Sequence, residues 1–290
     1  MALSIFTNDS SMASIKALNQ ANSLLSTAMK RLGTGKRLNS AADDAAGMQI
    51  ATRLQGQTSG MAVAQRNIND ANALLQTAEG AFDEVSNIMY RMKDLATQAA
   101  NDTNSQQDRD AINSELNSLN DELQNILQNT SYAGDKLFSG SGAKFSAPIT
   151  FQIGAESSET MTINLAADLS GFMNASGITG IGGWGNASGG GIAITDANSA
   201  HTLMDGLKQA LDNVGSLRSK LGASMNRLGH TAANLANMKD NTQLALGNFR
   251  DADFAAETTI MTRNQMLAQT SMAMLKQSNS MSGMVMSLLG

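Results

Sequence analysis

Apolar residues recur every seven positions along two long stretches, and this spacing constrains the fold more than any other feature of the chain. Between residues 58 and 99 one seam runs Met61, Ile68, Leu75, Phe82, Met89 and Ala96. A second, offset by three, runs Ala64, Ala71, Ala78, Val85, Met92 and Ala99. Alternating steps of three and four put both seams on one helical face, as in a coiled coil. A large-residue seam beside an alanine seam permits close helix–helix approach. At about 1.5 Å per residue, such a helix extends roughly 60 Å. The pattern returns at Leu207, Val214, Leu221, Leu228 and Leu235, with Leu203, Ala210, Leu217, Ser224, Thr231 and Met238 alongside. A shorter stretch, Ile112, Leu116, Leu119, Leu123 and Ile126, keeps the same rhythm, and Asn104 or Ser105 can cap its start. Proline would interrupt helices of this length. The 290 residues contain one, where average usage of about 5% would give about 14. The spacing therefore predicts a mainly α chain: an elongated antiparallel bundle of long helices.

The termini repeat the idea more weakly. Ile15, Leu18, Asn22, Leu25, Met29 and Leu32 form one seam, with Asn22 at a core-type position where a lone Asn commonly fixes register. Ile260, Leu267, Met274, Met281 and Leu288 form another, accompanied by Met261, Ala268, Leu275, Ser282 and Leu289. Ser, Thr, Asn and Gln fill the positions between, with few charges. Such helices need partners to be stable, and methionine-rich stripes suit adaptable contact surfaces. An ordinary intramolecular core is the competing reading of the same stripes.

From Gly134 the heptads stop. Residues 145–154 and 159–165 alternate with period two around Ala155-Glu156-Ser157-Ser158, which predicts a β-hairpin. Residues 176–191 are glycine-rich. A phosphate-cradling loop needs a strand leading in and a helix opening at once, so these glycines read as a connection.

Chemistry is hard to place on this chain. Zero cysteines exclude a disulfide framework, a cysteine-ligated zinc and a thiol nucleophile. His201 and His230 lie far apart without a ligand pattern. Asp43 and Asp44 are adjacent and, on a helix, would point about 100° apart, so a turn or helix-start role suits them better than a shared catalytic site. Asp251 and Asp253 read the same way. No cofactor and no enzymatic activity are expected. A formal charge of −5 argues against nucleic acid. No run of 18 apolar residues exists to span a membrane. The N-terminus, Met1 to Asp9, lacks the charged and apolar regions of a cleaved secretory signal.

Several ordered motifs carry a resemblance to bacterial flagellin. They are the stretch from Lys30 to Ala51 around Asn39-Ser40-Ala41-Ala42-Asp43-Asp44-Ala45-Ala46-Gly47, then Thr103-Asn104-Ser105, Arg250-Asp251-Ala252-Asp253-Phe254-Ala255-Ala256-Glu257, and the ending Val285-Met286-Ser287-Leu288-Leu289. The resemblance covers nearly the whole chain. It implies that N- and C-terminal helices, residues 1–43 and 251–290, pair as the inner tube of a helical filament. Residues 44–175 and 200–250 would form the next layer with the hairpin, and 176–199 a short variable segment in place of an outer domain. Leu18, Asn22, Leu25, Met29, Leu32, Ile260, Leu267, Met274, Met281 and Leu288 would then be assembly contacts. The implied partners are further copies of the chain, an export chaperone with the flagellar type III apparatus, and the filament cap and hook-junction proteins. Export would be unfolded and uncleaved, to an extracellular filament, and a cysteine-free chain suits it.

The resemblance also implies recognition by host receptors. Arg91, Leu95 and Glu115 match the positions used toward a Toll-like receptor. Asp43 and Gly47 match the epitope read by plants, and Val285, Leu288 and Leu289 the ending sensed by inflammasome receptors. A hook–filament junction protein is the alternative within the same group of proteins, and a soluble coiled-coil adaptor the alternative outside it.

Overall fold

The computed structural model describes residues 8–140, 142–173 and 192–289, excluding the side chains of residue 173 and of residues 282–289. Its elements in chain order are α1 (Asp9–Thr34), α2 (Ala45–Ala99), α3 (Gln106–Asn129), β1 (Ser131–Tyr132), β2 (Asp135–Lys136), β3 (Ile149–Gln152), β4 (Thr160–Ile163), α4 (Ala166–Met173), α5 (Ala197–Arg250) and α6 (Phe254–Leu289). Local chemistry sets the boundaries. The Asn8 side chain accepts from Ser11 N, and Gly35 closes α1 at φ +69. Asp44 Oδ1 accepts from Gly47 N at 2.9 Å at the start of α2. Ser105 and Asp108 form a reciprocal capping box on α3. Asp253 Oδ1 takes the Ala255 N–H at 2.9 Å and starts α6.

Residue contacts divide the chain into two units. One joins the chain's ends, Met1–Thr58 with Asp240–Gly290, and the other is Ser59–Lys239. The larger unit holds the main core. All twelve seam residues of α2 are buried, none more than 4% exposed. On α5, Leu203 through Leu228 are buried along both seams and Leu235 is 6% exposed, but Thr231 is half-buried and Met238 exposed. The α3 stripe is Ile112, Leu116, Leu123 and Leu127, with Leu119 and Ile126 half-buried beside it.

Aromatic rings fill the centre of this core. The Phe82 ring centroid lies 4.7 Å from that of Phe138 and 6.4 Å from that of Phe172, the latter edge-on. Phe145 stacks on Phe138 at 5.9 Å. Tilted and edge-on contacts suit the ring quadrupoles. Phe138 and Phe145 come from the irregular stretch after β2 and Phe172 from α4; Phe138 and Phe172 meet Phe82 of α2, and Phe145 reaches it through Phe138.

The expected hairpin forms as β3 and β4, paired antiparallel from Ile149↔Ile163 to Gln152↔Thr160. It is shorter than the alternating run. Residues Lys144–Ser146 make a single 3-10 turn that buries Phe145, so the first residues of the run serve the core instead of the sheet. The tip presses on α2: a Cβ on Gly60 would sit 2.8 Å from Ala155 Cβ. A second, two-residue hairpin pairs Ser131↔Lys136 and Tyr132↔Asp135. Its loop residues Ala133 and Gly134 have φ of +52 and +92, the left-handed pair that twists with the strands.

The glycine-rich segment, residues 176–191, lies outside the described residues. Where the chain resumes, two amides of α3 hold it. Asn117 accepts from Ile192 N at 2.7 Å and donates to Ile192 O at 3.0 Å. One turn earlier on α3, Asn113 accepts from Ile194 N at 2.8 Å and donates to Ile194 O at 3.0 Å. Two side chains at helical spacing thus present the donor–acceptor pattern of a neighbouring strand, and Ile192 and Ile194 are buried. Ion pairs tie the flanks: Arg218 reaches Glu79 Oε1 at 2.8 Å and Asp83 Oδ1 at 2.9 Å. The hydrogen bond that Arg218 donates to Glu79 is the main reason the guanidinium holds its proton more firmly than usual.

Candidate assembly surface

In the terminal unit α1 and α6 pack antiparallel. Asn8 Nδ2 donates to Ser278 O at 3.3 Å, Ser10 and Ser278 hydroxyls meet at 2.8 Å, and Arg31 Nη1 meets Glu257 Oε1 at 2.9 Å. The fully buried facing side chains are small or polar. Ala21 and Ala28 are buried on α1, and Glu257, Asn264 and Ala268 on α6. Between them lie half-buried Leu18, Leu25 and Leu32 on one helix and Met261, Ser271, Leu275 and Ser278 on the other.

This shifts the inner seam of α1 by one residue from the sequence expectation. Ala21 and Ala28 occupy it, whereas Asn22 is exposed and Met29 is 52% exposed. Alanine lets the helices approach, and a Met at the same position would hold them apart. Asn22 therefore fixes no register in this pair. That task falls to the Arg31–Glu257 ion pair and the Asn8 and Ser10 contacts with Ser278. On α6 the series Ile260, Leu267, Met274 and Met281 faces away from α1 and is exposed. The Leu288 side chain lies outside the described ones.

The resulting surface is unusual in where its apolar atoms are. Sixteen large apolar side chains are exposed among the described residues. Val63, Tyr90 and Met238 belong to the larger unit, and the other thirteen to the terminal unit. An apolar excess of this kind marks a contact surface. One part of it is an open groove of about 720 Å³ along α6, lined by residues that include Phe254, Thr258, Thr262 and Met266. No helix among the described residues is long and apolar enough to cross a membrane.

The turns between helices are tied across the chain. Lys36 and Asp251 form an antiparallel bridge, with Arg37 N donating to Arg250 O at 2.6 Å and Ala252 N to Gly35 O at 3.0 Å. Arg37 Nη2 also reaches Phe249 O at 2.9 Å. Asp43 folds its own loop, accepting from Asn39 N at 3.0 Å and Ser40 N at 2.8 Å. Those backbone hydrogen bonds hold its carboxyl below the usual range. Gly47 is buried, and a Cβ there would collide with the Asp44 carboxylate. Asp43 and Gly47 thus have structural duties of their own. Arg91 and Glu115 meet in an exposed ion pair at 2.6 Å. Leu95, one turn beyond Arg91, is 3% exposed and belongs to the core instead of the surface. The Val285, Leu288 and Leu289 side chains are outside the described ones. Among the described residues no cluster of three or more metal-ligating side chains occurs.

A core built from both halves of the chain, with paired terminal helices that turn their apolar faces outward, defines a structural subunit of helical assemblies. Comparison with known proteins gives that class a family. The bacterial flagellin N-terminal helical region matches residues 5–143, and the C-terminal helical region matches residues 204–289. Polar flagellin B/D of Vibrio parahaemolyticus is 32% identical over the full length of both chains. A flagellin of Halalkalibacterium halodurans is 38% identical over 90% of each. The chain belongs to the bacterial flagellin family, whose members are structural proteins of the extracellular flagellar filament. At the level of fold alone, it also resembles a solved flagellar hook-associated protein of Vibrio parahaemolyticus. That match has a TM-score of 0.59 at 18% identity, covering 72% of this chain and 100% of the other.

Proposed function

We propose that this chain polymerises through its terminal unit into a flagellar filament, with residues 1–43 and 251–290 as the inner layer and 44–175 and 200–250 as the layer around it. The observation that carries this is the placement of thirteen of the sixteen exposed large apolar side chains on the terminal unit. The α1–α6 seam fully buries only small and polar residues, Glu257 included, and half-buries a few leucines and Met261, so the exposed large ones are left to bury against other copies. A contact between one face of a subunit and a different face of the next propagates as an open helix.

Other parts of the reading follow from the family. The chain is exported unfolded through the flagellar type III apparatus, with a chaperone holding α6, and it ends between hook-junction and cap proteins. Host receptors that detect flagellins meet the Arg91–Glu115 pair on the larger unit, the 30–51 segment around Asp43 and Gly47, and the ending at Val285, Leu288 and Leu289.

The test of assembly is a charge placed on the outward face. Leu267→Glu and Met274→Glu alter side chains that are 49% and 61% exposed, so the isolated chain keeps its fold. A carboxylate buried without a partner in a dry contact is costly, and the critical concentration for growth on filament seeds should rise at least about a hundredfold. Sedimentation and negative-stain microscopy read the result. Variants that elongate seeds like the parent would refute this assignment of the surface.

A further inference from the structure

We propose that the exposed methionines of the terminal unit are an oxidation site: peroxide converts Met12, Met29, Met266, Met272, Met274 and Met281 to sulfoxides and thereby blocks assembly of the free chain. This rests on the filament reading and adds a chemical control to it.

Two observations carry the inference. The first is how the thioethers are distributed. In the larger unit Met61, Met89, Met92 and Met161 are at most 4% exposed, whereas the six named residues are 48% to 61% exposed. Met48, Met204, Met225 and Met261 are half-buried, and among the described side chains of the larger unit Met238 is the one exposed methionine, at 45%. The second is the absence of any competing thiol: the chain has 19 methionines and no cysteine. Among the described side chains, a peroxide that meets the folded monomer therefore finds its most accessible sulfur on the surface that is to be buried by assembly. Leucine would fill the same volume at little cost but offers no sulfur lone pair.

The chemistry balances with hydrogen peroxide as the oxidant. A sulfur lone pair attacks one peroxide oxygen, the O–O bond breaks, the S–O bond forms, and water leaves. Sulfur loses two electrons and the peroxide gains them. The product is a polar, chiral sulfoxide where an adaptable apolar side chain stood. On the monomer its oxygen is hydrated. In a dry contact with a second copy it must lose that water, so oxidation opposes association and leaves the monomer fold alone. Two reductases, one for each sulfoxide epimer, return the thioether at the expense of a dithiol, which becomes a disulfide with release of water.

The experiment uses the full chain as monomer, treated with graded hydrogen peroxide and quenched with catalase. Peptide mass spectrometry reads oxygen gained at each methionine, and seeded sedimentation reads the critical concentration. When the six sites carry oxygen, the critical concentration should rise at least about tenfold. Thermal unfolding of the larger unit should stay unchanged. Treatment with both reductases and a dithiol should restore assembly. The variant with all six replaced by Leu should assemble equally before and after peroxide, and Met238→Leu alone should remain as sensitive as the parent. Unchanged assembly of chains oxidised at all six sites would overturn the proposal. So would failure of the reductases to restore growth, loss of the larger unit's fold at the same dose, or equal sensitivity of the six-Leu variant. Failure of the untreated parent to grow on seeds would count against the filament reading instead.

Discussion

Replacing both Asn113 and Asn117 with Ala should release the segment that returns after the glycine-rich stretch, and the structure gives the size of the effect. The two amides make four hydrogen bonds to the backbone of Ile192 and Ile194, between 2.7 and 3.0 Å. At a net value of about 1 kcal/mol each, their loss costs about 4 kcal/mol. Alanine's better helix propensity returns roughly 0.6 kcal/mol per site. Both amides hold one segment, so the double variant should lose about 3 kcal/mol or more, and the two singles should not sum to it. Should the segment detach, Ile192 and Ile194 leave the core, and each then adds roughly 1.5–3 kcal/mol. Asn113→Asp with Asn117→Asp is an informative contrast. The carboxylates still accept from the Ile192 and Ile194 amides but turn their second, anionic oxygens toward the carbonyls, so the loss should be large at neutral pH and smaller in acid, where the protonated carboxyls can donate again. Urea unfolding of the larger unit measures the energy, and amide exchange at Ile192 and Ile194 measures the release. A double-Ala variant within 1 kcal/mol of the parent, with both amides still protected, would show that the ladder is incidental to packing.

Two other substitutions probe local features. Gly60→Val forces a side chain against Ala155 and should lower stability by about 1–3 kcal/mol despite the gain in helix propensity; a higher melting temperature would contradict the close approach. Ser105→Ala removes the capping box and should cost about 1 kcal/mol, read as faster amide exchange in the first turn of α3. The same cap has a pH signature, because hydrogen bonds from the Ser105 side chain and backbone keep the Asp108 carboxyl below its ordinary value of 3.8. Its folded value lies beneath its unfolded one, so the stabilisation is complete above pH 3.8 and is lost as pH falls through the folded value. Relative to the intrinsic rate, which itself falls with pH, the protection of that turn should therefore decrease on acidification in the parent and much less in Ser105→Ala.

The sequence revealed the larger unit well because its seams do one thing. Met61 to Ala99 on α2 and Leu203 to Leu228 on α5 face a single core, and a heptad of large and small residues can mean little else. The terminal helices obey the same period but carry two apolar faces, one turned to the partner helix and one left exposed. Residue size then misleads. Asn22 and Met29 lie one position from Ala21 and Ala28, and it is the alanines that sit inside because the pair closes tightly. Leu95 shows the same difficulty in reverse: a motif places it among surface residues, but its side chain completes the α2 core. The Asn113–Asn117 ladder left no signal, since two Asn four apart on a helix usually face water, and their partners lie 75 to 81 residues away. The aromatic cluster was equally hidden, because Phe138 and Phe145 come from an irregular stretch and Phe172 from a helix of only eight residues, too short for the Leu165, Leu169, Phe172 spacing to stand out.

The bridge between Gly35–Arg37 and Arg250–Ala252 has a mechanical consequence. It ties the connection that follows α1 to the one that precedes α6, by two backbone hydrogen bonds running in opposite directions. A torsion in one connection is transmitted to the other before either hydrogen bond breaks. The α1–α6 pair is therefore joined to the helices that follow and precede it through two connections that are paired with each other instead of running independently. Any bending load reaching the terminal helices is divided between both strands of the chain.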